Sequence, residues 1–165
     1  MTATLSVPAS LTAAHDVSLF SCGELSLDDW LRKRAAKNES SGASRTYVVC
    51  SDNDVAGYYS LAVGSIEHKF APGNIKRNMP RPIPVMILAR LAVDRRYAGR
   101  SVGTAMLRDA LLRTLRAADI AGIRALLVHA LNEKGASFYG ARGFAVSPID
   151  PLILFLALEH VGNQL

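Results

Sequence analysis

The sequence predicts an α/β fold, and three consecutive stretches carry that prediction. Residues 85–93 form an apolar run rich in Val, Ile and Leu, broken only by Arg90, which reads as a mostly buried strand. Met106, Leu107, Ala110, Leu111, Leu115 and Ala118 then recur at three- and four-residue steps, with Arg108, Asp109, Arg113 and Arg116 on the other side. That spacing gives an amphipathic helix. After the Ala121-Gly122 break, residues 123–128, broken only by Arg124, read as a second buried strand. Two buried strands joined by one helical crossover should lie parallel.

A chain of 165 residues, half of them apolar, is long enough for a sizeable core, and one domain over residues 1–165 is expected. No eighteen-residue apolar window occurs, and the opening MTATLSVPASLTAAHDV lacks a basic region ahead of an apolar one. Neither a membrane span nor a signal peptide is expected, and the expected address is the cytoplasm. Cys22 and Cys50 are too few and too far apart for a disulfide framework or a metal knuckle, so reduced thiols and no metal are expected. The net charge is +5, and the excess falls entirely after residue 80, where eleven basic residues face six acidic ones. Most of the eleven are arginine, whose planar fork suits phosphate; a solvated basic surface would have the same composition.

Taken in order, residues 3–7 suggest a short first strand. Ser26-Leu27-Asp28-Asp29 reads as a helix start with Ser26 as N-cap, and Leu27, Trp30, Leu31 and Ala35 form the inner face. Arg32, Lys33, Arg34 and Lys37 occupy its remaining surface, suited either to a polyanion or simply to water. Residues 38–44 read as a loop, and residues 45–50 as a strand. The turn Ser51-Asp52-Asn53-Asp54 leads into a second arm over residues 55–66, completing a hairpin. Residues 69–84 hold four prolines and the basic residues Lys76, Arg77 and Arg81, so a basic surface loop is expected. After the crossover, a short helix is predicted over residues 133–141 with Gly143 at its C′ position, then strands over 144–146 and 152–158.

The turn between the first strand and the long helix is Tyr97-Ala98-Gly99-Arg100-Ser101-Val102-Gly103-Thr104. A glycine-bearing turn there aims free backbone N–H groups and the positive helix end at one point, a cradle suited to phosphate. It is neither a nucleotide-triphosphate loop, which needs four residues between its glycines and then Lys, nor the G-x-G-x-x-G dinucleotide pattern.

Strand, glycine turn, helix, strand, Asn132, and a short helix with Phe138-Tyr139 ahead of Gly143-Phe144 is a specific order. It resembles the Gcn5-related N-acetyltransferase (GNAT) family. The phrases Leu27-Asp28-Asp29-Trp30-Leu31, Arg45-Thr46-Tyr47-Val48-Val49, Gly57-Tyr58-Tyr59-Ser60-Leu61, Pro82-Ile83-Pro84-Val85, Leu88-Ala89-Arg90-Leu91-Ala92-Val93-Asp94 and Val128-His129-Ala130-Leu131 are similar to its toxin subgroup in toxin–antitoxin pairs. The resemblance implies a mixed, mostly antiparallel sheet, splayed at two central parallel strands and flanked by helices, with acetyl-CoA in the splay. It further implies acetylation of the α-amino group of aminoacyl-tRNA, a homodimer, and a ribbon-helix-helix antitoxin through which operator DNA is bound. The family's pyrophosphate loop is Q/R-x-x-G-x-G/A. Here Ala98 and Ser101 replace the first and fourth residues of that pattern, leaving Gly103 as the matching glycine. A Ser held there at positive φ would be strained.

In the implied reaction an amine attacks a thioester carbonyl, an oxyanion develops, and a thiolate leaves. The resemblance assigns acetyl-CoA binding to Leu91, Ala92, Val93, Gly99, Arg100, Ser101, Val102, Gly103, Thr104, Asn132 and Phe138, with backbone groups of Leu91 to Val93 serving the pantetheine and the thioester oxygen. It assigns the acid that protonates the thiolate to Tyr139; on its own, Tyr139 reads rather as an amphipathic core residue with its hydroxyl on a backbone carbonyl. tRNA contacts are expected at Arg32, Lys33, Lys37, Lys76, Arg77, Arg81 and Arg90. No strong base is evident, and an aminoacyl ester's α-amine, less basic than lysine, needs little help. An acetyltransferase of small amines or protein N-termini, and a non-catalytic nucleic-acid-binding protein on this fold, remain the alternatives.

Overall fold

A computed structural model describes residues 4–161. Strands β1 (Ala9–Ser10), β2 (Arg45–Ser51), β3 (Asp54–Ile66), β4 (Ile83–Val93), β5 (Ala125–His129), β6 (Ala145–Val146) and β7 (Ile153–Ala157) form one seven-stranded sheet in the order β1-β2-β3-β4-β5-β7-β6. β4 and β5 run parallel from Val85↔Ala125 to Leu88↔Val128, as the crossover requires, whereas β1–β2, β2–β3, β5–β7 and β6–β7 are antiparallel. The mixed sheet expected from the sequence is therefore present.

The chain divides into two compact units, one made of the residues up to Ala62 with Ala89–Ala110, the other of Val63–Leu88 with the residues from Leu111 onward. In the first unit, helices α1 (Leu25–Lys33) and α2 (Ala35–Ser41) accompany the β2–β3 hairpin. Trp30, Leu31 and Ala35 from the predicted inner face are buried with Phe20, Val48, Tyr58 and Ala92. Thr46 and Ser60, opposite each other in the hairpin, satisfy one another's buried hydroxyls at 2.9 Å. In the second unit, the inward residues of β4, β5 and β7, among them Val85, Ala125, Leu127, Ile153 and Phe155, pack with Ala71 and Ile75.

Several expectations are corrected. Of the predicted first strand, Ala3 lies outside the described residues, Leu5 makes an isolated bridge to Ser51, and regular pairing begins at β1. α1 starts before Ser26, with Glu24 as N-cap and no side-chain cap bond, because Asp28 is buried and accepts the Cys22 N–H at 2.9 Å. Its carboxylate fixes the chain entering the helix rather than facing water. Residues 38–41 belong to α2, whose end is set by Gly42 in the left-handed region (φ +79°), not by the polar composition that suggested a loop.

The proline-rich stretch contains a 3₁₀ turn, His68–Phe70, and a one-turn helix α3 (Gly73–Lys76). Ile75 is buried, and Arg124 donates to the carbonyls of Asn74 and Ile75 at 2.8 and 3.0 Å, so this segment is pinned from outside. On the long helix α4 (Val102–Ala118), Asp109 is half-buried and accepts the Tyr59 hydroxyl, and Thr114 is fully buried. The apolar stripe is thus wider than hydrophobicity alone marked. Helix α5 (Glu133–Gly140) has Ala141 as C-cap, so Gly143 (φ +93°) lies two residues past the cap. The last predicted strand stops at Ala157, where the one-turn helix α6 (Leu158–Val161) takes over.

Candidate active site

The first unit carries the end of β4 and the turn that follows. Asp94, 1% exposed, organises this stretch. Its N–H donates to Ala56 O, and its carboxylate accepts the Ser21 N–H, the Arg96 N–H and two Arg96 guanidinium N–H groups at 2.8–3.1 Å. Burial pushes the Asp94 carboxyl up, but these bonds from Arg96 and Ser21 outweigh it and leave the pKa below the ordinary carboxylate value. Nothing in the hydrophobic pattern marks Asp94 as buried. The signal for it was Asp94-Arg95-Arg96, an Asp whose side chain takes the N–H two residues on.

From that anchor a 3₁₀ turn, Arg95–Tyr97, leads into exposed Ala98, Gly99, Arg100 and Ser101. Gly99 (φ +78°) and Ser101 (φ +58°) both lie in the left-handed region. Ser101 thus holds a backbone conformation that ordinarily favours glycine. Val102 and Gly103 open α4, where N–H groups lack intrahelical acceptors. Two left-handed residues leading into a seventeen-residue helix, with the Arg100 side chain beside them, suit the pyrophosphate of acetyl-CoA. Thr104 follows within the first helical turn.

Leu91 and Val93 are half-buried and Ala92 is buried, so their backbone groups lie on an ordered strand end. Gly57 keeps this region close-packed: a Cβ there would stand 3.0 Å from Met106 Cε and 3.3 Å from Ala92 O.

The strain at the turn is testable. No atom lies within 4 Å of a Cβ built at Gly99, so Gly99→Ala is expected to cost about 1–2 kcal/mol through backbone conformation alone. Ser101→Gly relieves the same strain but frees the unfolded chain, so it is expected to stabilise by less than about 1 kcal/mol. Opposite signs in urea unfolding check both; equal signs would show that φ does not govern this turn.

The second unit carries Asn132 and α5. The Asn132 side chain accepts the Gly135 N–H at 3.0 Å as the helix N-cap. Asn132, Glu133, Ala136, Ser137, Pro151 and Leu152 line a groove of about 570 Å³. Tyr139 is 7% exposed, with Phe138 and Phe144 edge-on at 5.1 and 5.4 Å. Arg142 covers the other aromatic ring, with its guanidinium carbon 3.8 Å from the Phe138 centroid. Burial pushes the Tyr139 phenol up to about 12. Its hydroxyl makes no hydrogen bond among the described residues, unlike that of Tyr58, which donates to Leu27 O at 2.7 Å.

The basic residues fare differently from one another. Arg32 donates to Phe20 O at 2.6 Å and lies 3.6 Å from Asp29, which also holds Lys33 at 3.7 Å. Much of the α1 charge is thereby neutralised locally. Arg34 and Lys37 have no ion pair among the described residues. Lys76, Arg77 and Arg81 are exposed in the second unit, and Arg81 borders a groove of about 620 Å³ with Glu67, His68 and Lys69. Arg90 is half-buried over the Trp30 ring.

A mixed sheet with a parallel β4–α4–β5 crossover and a left-handed turn at the start of the crossover helix is the architecture the resemblance implies. Residues 42–146 match the acetyltransferase (GNAT) domain family, and the chain belongs to it. It is 51% identical over 154 residues to a tRNA-acetylating toxin of Mycobacterium tuberculosis, covering 93% of each chain. Among solved structures it is similar to AtaT complexed with acetyl-methionyl-tRNAfMet, with a TM-score of 0.89 and 29% identity over 98% of this chain and 99% of that one. It is also similar to a Tyr-to-Phe variant of the AtaT toxin bound to the C-terminus of the antitoxin AtaR and acetyl-CoA, with a TM-score of 0.83 and 28% identity over 97% of both chains.

Proposed function

We propose that this chain is an acetyl-CoA-dependent N-acetyltransferase toxin that acetylates the α-amino group of aminoacyl-tRNA. The observation that carries the reading is the tyrosine of α5: a buried, ring-packed phenol, held neutral, whose hydroxyl spends nothing on the fold. A phenol placed for packing alone ordinarily finds an internal acceptor. The tRNA-acetylating relative, similar over nearly its whole length, supplies the acceptor class.

When bound, acetyl-CoA supplies an acetyl thioester; Leu91, Ala92 and Val93 present backbone groups to its pantetheine and thioester oxygen. Gly99 to Thr104, with the Arg100 side chain, hold the pyrophosphate. Asn132 fixes the start of α5, Phe138 borders the cofactor, and Tyr139 donates to the sulfur as charge grows there. The aminoacyl α-amine is already substantially neutral near pH 7, so no dedicated base is required before attack, and the proton the nitrogen sheds afterwards replaces the one Tyr139 gives to the sulfur. An acetylated amine no longer forms a peptide bond, which accounts for toxicity.

The reading includes one acetyltransferase domain over residues 1–165, a homodimer, and a cytoplasmic location. No described helix is long and apolar enough to cross a membrane. It also includes neutralisation by a ribbon-helix-helix antitoxin, whose complex contacts operator DNA. AtaT, with its antitoxin and DNA complexes, supports these partners.

The experiment incubates the protein with labelled acetyl-CoA and bulk aminoacyl-tRNA, then releases and identifies the amino acids. N-acetyl-aminoacyl esters are expected. Label on free amines or protein N-termini, with none on charged tRNA, would transfer the fold to the small-amine reading.

A further inference from the structure

Arg90 lies on a built aromatic platform. Phe20 meets Tyr58 edge-on at 5.5 Å, Tyr58 stacks on Trp30 at 6.0 Å with planes 8° apart, and the Arg90 guanidinium carbon sits 4.2 Å from the Trp30 centroid. Tyr58 is locked in turn by its bond to Leu27 O. The guanidinium is thus held over the face of the indole, where the ring's negative quadrupole attracts a cation.

The Arg90 side chain makes no hydrogen bond or ion pair among the described residues. Other arginines of this chain behave otherwise: Arg32 bonds Phe20 O, Arg96 bonds Asp94, and Arg124 bonds the carbonyls of Asn74 and Ile75. A stack of this kind needs no open fork, and holding an unpaired cation half out of water costs stability. Burial accordingly lowers the Arg90 pKa from its ordinary value. Such an arrangement suits a residue whose partner arrives with the ligand.

The identity of that partner follows from position and acceptor chemistry. Arg90 precedes Leu91 to Val93 on β4 and shares a strand face with Ala92, which is buried in the same cluster as Trp30 and Tyr58. In an aminoacyl ester the amino acid's own carboxylate is consumed by the ester bond. The anion nearest the reacting amine is then the phosphodiester joining the terminal nucleotide to the one before it. We infer that the Trp30-stacked guanidinium of Arg90 binds the phosphodiester on the 5′ side of the terminal, aminoacylated nucleotide. This deepens the charged-tRNA reading and rests on it.

The test compares two small acceptors, a 3′-aminoacylated adenosine and the same ester on a cytidine-phosphate-adenosine dinucleotide, in wild type, Arg90→Gln and Arg90→Lys. In the wild type the added phosphodiester should raise kcat/KM by about ten- to a hundredfold, the worth of a charge-assisted hydrogen-bond pair. In Arg90→Gln that gain should shrink below about threefold, with Arg90→Lys between, because lysine keeps the charge without the stacked fork. The ratio within each variant cancels any general loss of folded or active protein. If the gain survives in Arg90→Gln, or is missing in the wild type although both esters are acetylated, the inference fails and the charged-tRNA reading stands. If the wild type acetylates neither these esters nor intact aminoacyl-tRNA, both fall together.

Discussion

Tyr139→Phe is expected to lower kcat for acetyl transfer by about a hundred- to ten-thousandfold while leaving acetyl-CoA affinity within about threefold. The split follows from the surroundings of the ring. Phe138 and Phe144 touch its edges, so the substitution keeps the packing and removes one oxygen that makes no internal bond. Folding stability should therefore change by less than about 1 kcal/mol, since no buried partner is orphaned. The pH profile offers a second handle. Burial raises the phenol to about 12, which favours its protonated form in the folded chain and extends its use as a donor upward in pH. Wild-type single-turnover rates should thus show no falling limb near the ordinary phenol value of 10. A limb centred there, or a Phe variant with undiminished kcat, would remove the tyrosine from the chemistry.

Much of this was legible from residue order, and what was not has physical causes. The β4–α4–β5 crossover could be read because both strands are buried and the helix has a sustained period, signals that depend on one face meeting one core. The candidate site residues Tyr139 and Asn132 could be singled out only through the family resemblance, because a tyrosine or an asparagine alone reads as readily as a packed ring or a helix cap. Asp94 and Asp28 were harder. Both are acidic residues that hydrophobicity assigns to the surface, yet both are buried, since each closes a backbone loop through N–H groups that no side-chain pattern displays. Arg90 was expected to contact tRNA, but its stack could not be read, because it depends on Trp30, sixty positions away in the chain. The positive φ of Ser101 could be anticipated only against the family's glycine, because serine announces nothing about the left-handed region.

The largest loss of stability should come from that hidden anchor. Asp94→Ala is expected to destabilise the protein by about 2–4 kcal/mol, as the carboxylate holding the Ser21 and Arg96 N–H groups and the Arg96 guanidinium disappears from a site closed to water. For a chain of this length that corresponds to a fall of roughly 5–12 °C in Tm. Arg96 is itself 44% exposed and regains water, which keeps the cost below that of a fully buried ion pair. The sign of the pH effect is fixed by the depressed pKa. The folded chain holds Asp94 ionised more firmly than the unfolded chain does, so its contribution is complete above the ordinary value of 3.8 and is lost as pH falls through the lower folded value. Wild type and Asp94→Asn should therefore differ most near neutrality and converge in acid. The same carboxylate sets the 3₁₀ turn that delivers the chain to Gly99 and Ser101, so acetyl-CoA affinity should fall by about tenfold or more in the Ala variant, measured well below its Tm. A variant that unfolds earlier yet binds acetyl-CoA as tightly as wild type would mean the turn is held by α4 alone. Loss of binding with full stability would place Asp94 in direct contact with the cofactor, a role its burial and saturated bonding argue against.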